Sequence, residues 1–187
     1  MFYVLVFFVA LTRLVPHPPN LVCVGALGLF AGCYLQGRIA WVVPVAAMLV
    51  SDVIGHIFAV PGMGFYSPGM MAMVYLGFAC TALVGRGLST KRSALRIGGA
   101  ALASAMIFFV LSNLGVWLSG MYGYSVAGLV NCYTMAIPFF GNTLAGDLLY
   151  SAILFGTYEL SLRDWSGSYP GSGRRKLAYV RVPSRRR

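Results

Sequence analysis

Ile97-Gly-Gly-Ala-Ala-Leu-Ala-Ser-Ala-Met-Ile-Phe-Phe-Val-Leu-Ser-Asn-Leu-Gly-Val-Trp-Leu118 is a run without a single Asp, Glu, Lys or Arg. An α-helix needs about 20 largely apolar residues to cross the hydrocarbon core of a bilayer, and this stretch supplies them. The charge-free window around it extends from residue 97 to 146, and similar windows cover 14–37, 39–51 and 53–85. Composition agrees: 59% of the 187 residues are hydrophobic and 10% are charged, against about 25% charged in a soluble domain. So few polar groups cannot cover a soluble sphere of this size, and 14% aromatic residues exclude disorder. The net charge of +10 comes without stacking aromatics interleaved among the basic residues, so nucleic-acid binding is also excluded as the reading.

Turn signals divide the windows. Val15-Pro16-His17-Pro18-Pro19-Asn20 opposes helix, because consecutive prolines remove donors and bias the preceding residues. Pro61-Gly62-Met63-Gly64 and Ser67-Pro68-Gly69 make a second break. Gly120-Met121-Tyr122-Gly123-Tyr124 opens a third, expected to run to about Met135. The expectation is an all-α membrane protein, a six-transmembrane-helix bundle with helices at about 1–15, 21–37, 39–60, 69–86, 93–119 and 136–160. These form a domain over 1–162, followed by a basic tail over 163–187.

Charge position orients the bundle. Cytoplasmic connections are enriched in Lys and Arg. The links after helices 2 and 4 carry Arg38 and then Arg86, Lys91, Arg92 and Arg96. The C-terminal segment adds Arg163, Arg174, Arg175, Lys176, Arg181, Arg185, Arg186 and Arg187, so 13 of 14 basic residues fall on one side. Arg13 is the exception. Both termini are expected on the cytoplasmic side, or its stromal or matrix equivalent.

Ionisable groups at membrane depth cost about 2.5–3.5 kcal/mol on insertion scales and are candidates for function. Asp52 in helix 3 and Asp147 in helix 6 qualify. His56, four residues after Asp52, is expected on the same helix face. Asn113, Trp117 and Asn142 add polar groups in the outer halves of helices 5 and 6, while His17, Asn20, Tyr124 and Asn131 belong to outer loops. The alternative for all of them is that they bond one another and lock the bundle. No second His or paired Cys completes a metal shell around Asp52 and His56, so no metal or other cofactor is expected. Cys23, Cys33, Cys80 and Cys132 show no ligand spacing and are read as small hydrophobes. No nucleophile–base pattern appears, and an enzyme is not expected.

Gly28-Leu-Phe-Ala-Gly32, Ala101-Leu-Ala-Ser-Ala105 and Gly141-Asn-Thr-Leu-Ala145 place small residues four apart. Such faces let helices approach closely, either inside the bundle or against another membrane subunit. Val43-Pro44 before Ser51-Asp52-Val53-Ile54 is echoed by Ile137-Pro138 before Gly146-Asp147-Leu148-Leu149, a pattern compatible with two inverted three-helix halves.

Arg13-Leu-Val-Pro-His-Pro-Pro-Asn20 and Cys132-Tyr-Thr-Met-Ala-Ile-Pro-Phe-Phe-Gly-Asn-Thr-Leu-Ala-Gly-Asp-Leu-Leu-Tyr150 resemble an uncharacterised family of bacterial-type integral membrane proteins. The six-helix plan, with Gly25-Ala-Leu-Gly-Leu-Phe-Ala-Gly32 and Pro44-Val-Ala-Ala-Met-Leu-Val-Ser-Asp52, is loosely similar to the substrate-binding (S) components of energy-coupling-factor vitamin transporters. That resemblance implies capture of a small organic micronutrient from the outer face by outer loops and helix halves. It also implies docking to a coupling subunit through an Ala-xxx-Ala face on the first helix, from which this chain departs, since helix 1 offers only Ala10. The expected ligand-binding set is His17, Asn20, Asp52, His56, Asn113, Trp117, Tyr124, Asn131, Asn142 and Asp147. The rival expectation is a non-catalytic accessory subunit of a larger membrane complex, and a third is an ion or proton transporter using Asp52, His56 and Asp147. The membrane is a bacterial plasma membrane or an organelle membrane of bacterial descent.

Overall fold

A computed structural model describes residues 1–15, 18–60, 64–65, 67–90 and 92–167, the side chains of 163–167 excepted. These residues form six α-helices and one 3₁₀ turn, with no strand among them. They are α1 (Phe2–Leu11), α2 (Val24–Tyr34), α3 (Ile39–Ile57), α4 (Pro68–Arg86), α5 (Ala94–Leu118) and α6 (Val126–Gly167), and a 3₁₀ turn over Thr12–Leu14 follows α1.

The organisation follows from α2. Ten of its 11 residues are buried, as expected of a helix apolar on every side. It touches each of the other five helices. Those five close a ring in the order α1, α3, α4, α5, α6 and back to α1. Glycines permit this density. A methyl on Gly28 would overlap Thr81 of α4, one on Gly32 would overlap the Ala82 backbone, and one on Gly85 of α4 would overlap the Leu29 backbone. The Gly28/Gly32 face is therefore internal packing, as is the Ala101/Ala105 face, both of whose residues are fully buried. Gly141 and Ala145 face outward instead.

Three helices, α3, α4 and α5, are long and apolar enough to cross a membrane. This corrects the expectation of six spans. At 1.5 Å per residue, the 10 residues of α1 and 11 of α2 extend only about 15–17 Å. The 42-residue α6 has ample length but carries Asn131, Asn142, Asp147 and Glu159 along it. A second correction concerns its start. Ser125 Oγ accepts a hydrogen bond from the Gly128 N–H at 3.0 Å, so the helix begins at Val126 and absorbs the loop expected to reach Met135. The two halves are also not equivalent: α2 is central and enclosed, whereas its counterpart α5 lies on the ring. An inverted repeat does not account for that placement.

Charge separates the ends of the bundle. Arg38, Arg86, Arg92 and Arg96 gather where α2 and α4 end and α3 and α5 begin. There Arg92 Nε pairs with Glu159 at 3.0 Å, the Tyr34 hydroxyl donates to Glu159 at 2.6 Å, and the Arg92 guanidinium stacks 5.0 Å from the Tyr34 ring. Of the expected tail, residues 168–187 lie outside the described residues.

Candidate functional site

At the end opposite the basic cluster, Arg13 turns inward from the 3₁₀ turn and is only 7% exposed. Its guanidinium meets Asp52 of α3 at 2.8 Å, donates to the Met48 carbonyl at 3.2 Å and bonds the Ser51 hydroxyl. The second carboxylate oxygen of Asp52 accepts from the Tyr75 hydroxyl of α4 at 2.8 Å. Asp52, 1% exposed, is thus neutralised and fully engaged. It joins α3, α4 and the 3₁₀ turn. Arg13, assigned to an outer loop by sequence position, is the partner that the charge pattern left unpaired.

His56 is exposed and packs beside Phe65, ring centroids 5.6 Å apart. His56 lies only about 40° from Asp52 around α3, but in the last turn of the helix, where it is exposed while Asp52 is buried. The expected Asp52/His56 pair does not form. Among the described residues, no three His, Cys, Asp or Glu side chains gather into a metal-sized group.

Asp147 is 3% exposed and lies over the first turn of α2. Gly25 leaves the room, since a methyl there would overlap the carboxylate. The Ala26 N–H and the Ser104 hydroxyl face it. A helix N-terminus favours an anion, which gives Asp147 a structural rationale on that side.

Between α4, α5 and α6 lies a cavity of about 200 Å³, lined by Asn20, Met70, Val74, Phe108, Phe109, Ser112, Asn113, Val116, Ala136, Phe139, Phe140 and Thr143. Two Phe-Phe pairs, on α5 and α6, supply much of its wall, and no charged side chain lines it. Asn113 Nδ2 donates to the Phe109 carbonyl at 2.8 Å. Asn20 sits in the left-handed region at φ 63°, which Asn tolerates better than most residues. Asn142 does not line the cavity. Its Nδ2 donates to the Pro19 carbonyl at 3.0 Å and so holds the segment bearing Asn20 against α6.

The remaining expected residues disperse. Trp117 has a buried indole N–H without a hydrogen-bond partner and meets Tyr124 edge-on at 6.2 Å. Tyr124 is exposed, its hydroxyl donating to the Leu118 carbonyl at 3.3 Å. Asn131 is exposed on the early turns of α6, and His17 lies outside the described residues. Of the ten candidates, then, Asn20 and Asn113 share the cavity. The phenylalanines were missed, although the adjacent pairs at 108–109 and 139–140 were visible on either side of the third break.

A six-helix bundle with three membrane-length apolar helices and an uncharged cavity open at the bundle surface is the class these observations define. The chain belongs to the DUF6580 family, a family of unknown function, whose model matches residues 1–168. No curated protein and no solved structure matches it.

Proposed function

We propose that this is an integral membrane protein that binds a small, uncharged organic molecule, such as a micronutrient, from the side opposite its basic end. The membrane is a bacterial plasma membrane or one of bacterial descent, with both termini and the basic cluster inside. In this reading α2 does not need to span lipid on its own, because the ring encloses it. Uptake is S-component-like: the ligand enters under the Pro18–Leu21 segment and is released inward with partner subunits. The role is binding, without a catalytic step.

The observation that carries the reading is the cavity. Four phenyl rings and two carboxamides suit a flat molecule with hydrogen-bonding edges, and the lack of a lining charge disfavours an ion. Its volume, about 200 Å³, lies below the ~300–1,000 Å³ usual for drug-sized ligands, so the occupant is small.

Native mass spectrometry of gently purified protein tests this. A retained small molecule is expected, with retention reduced at least about tenfold in Asn113→Ala, the loss of one hydrogen bond to a desolvated partner. Equal retention in Asn113→Ala and Phe140→Ala would remove the cavity from the site. A stable co-purifying chain without any ligand would favour an accessory subunit, docked through the outward Gly141/Ala145 face.

A further inference from the structure

The described ion pairs are Arg13–Asp52 and Arg92–Glu159, so Asp147 is a buried carboxylate without a basic partner among the described residues. Arg13, which along with Asp147 acts electrostatically on the intervening Cys23, spends its donors on Asp52, Ser51 and Met48. The N-terminal turn of α2 compensates only one face of the Asp147 charge.

Two further buried hydroxyls stand on α5 and α6. Ser104 of α5 faces the carboxylate without closing a hydrogen bond, and Ser151, one turn along the same face of α6, is equally buried. Both hydroxyls lack a hydrogen-bond partner. Other helical hydroxyls in this protein bond back to a carbonyl three or four residues earlier: Thr81 to Phe78, Thr134 to Val130 and Thr143 to Phe139. Ser104 and Ser151 forgo that bond, and a buried polar group left unsatisfied is destabilising. An occupant that accepts lone pairs from both hydroxyls and offsets the carboxylate removes all three deficits together.

We propose that Asp147, Ser104 and Ser151 form a binding site for one sodium ion, enclosed by α2, α5 and α6. The donors are all oxygen, which selects a hard cation, and one uncompensated carboxylate balances a single positive charge. The walls are drawn close: a methyl on Gly25 would overlap Asp147, and one on Gly146 would come within 2.9 Å of the Val22 carbonyl oxygen. This closeness favours sodium over the larger potassium. The two carboxylate oxygens and two hydroxyls supply four ligands, and backbone carbonyls or water complete the shell. Asp147 follows the cavity-lining Thr143 by one turn, so the ion lies adjacent to the cavity, but this inference goes beyond the cavity reading and does not rest on it.

The test is thermal unfolding of the purified full-length protein in detergent, in sodium, potassium or choline chloride at equal ionic strength and fixed pH. The expected result is a saturable rise in Tm specific to sodium, reaching several degrees at about 100 times Kd. Ser104→Ala and Ser151→Ala should each shift the midpoint at least about tenfold in sodium concentration, and Asp147→Asn should abolish the effect. Binding of radioactive sodium to the unmodified protein, expected at one ion per chain, keeps the test valid should a variant fail to fold. Equal stabilisation by all three salts, a Tm that responds to pH alone, or a sodium effect that survives these substitutions would each overturn the proposal.

Discussion

Arg13 illustrates what a single side chain contributes by being paired. With Arg13 removed, Asp52 would remain buried with only the Tyr75 hydroxyl, and breaking a buried ion pair in this way costs about 3–5 kcal/mol. Replacing both partners by apolar residues of similar size is often close to neutral. Arg13→Met alone should therefore lower Tm sharply, while Arg13→Met combined with Asp52→Leu should recover most of the loss. A double variant no more stable than the single in a detergent melt would show that the network is needed for its hydrogen bonds beyond its charge balance. The pairing also marks a limit of one-dimensional reading. Asp52 announced itself as an acid within an apolar run, but its partner lies 39 residues earlier, in a segment that charge counting assigned to a loop. Which of two charges in a chain turns toward the other is decided by packing between helices.

At the scale of the element, α2 decides the architecture, and its glycines decide how near its neighbours come. Gly28 and Gly32 differ in what they face. The obstruction at Gly28 is chiefly the Thr81 hydroxyl, which rotation can move, with the Thr81 Cβ at 2.9 Å behind it, while at Gly32 it is the Ala82 backbone, which moves only with α4. Overpacking costs about 1–3 kcal/mol, so Gly32→Ala should destabilise more than Gly28→Ala. Gly141→Ala, with open space around it, should leave Tm nearly unchanged. Melts of the three variants check the order, and equal losses would contradict the close α2–α4 approach. The spacing Gly28-xxx-Gly32 made close contact legible, but the same spacing at Gly141-xxx-Ala145 faces outward, so the motif alone does not say inside or outside. Helix bounds behaved similarly. Arg38 marked the start of α3 and the Ser67-Pro68 turn that of α4 within a residue. The proline turn before α2 placed its start three residues early, and α6 began earlier than expected because Ser125 was not recognised as its N-cap.

For the whole molecule, the separation of charge and the exposure of apolar side chains make one argument about how it sits in a bilayer. Large apolar groups face outward from several ring helices, among them Phe7, Val42, Leu76, Leu102 and Ile137. A soluble protein rarely exposes so continuous an apolar surface, and lipid would cover it. Among the described residues the exposed basic ones, Arg38, Arg86 and Arg96, all lie at one end, whereas Arg13 at the other end is buried and neutralised. Among the described residues the accessible positive charge is thus confined to one end, which is the basis of the proposed orientation. Cysteine labelling tests that orientation directly. The native cysteines are buried apart from the half-buried Cys80, so a single exposed cysteine will dominate the signal once Cys80 is replaced by Ala. Met121→Cys, beyond the far end of α5, should react in intact cells with a membrane-impermeant maleimide. Thr90→Cys, between α4 and α5 at the basic end, should react only after the membrane is opened. The reverse pattern would invert the protein and place the mouth of the cavity inside, where the bound molecule would be met on export or sensing instead of uptake.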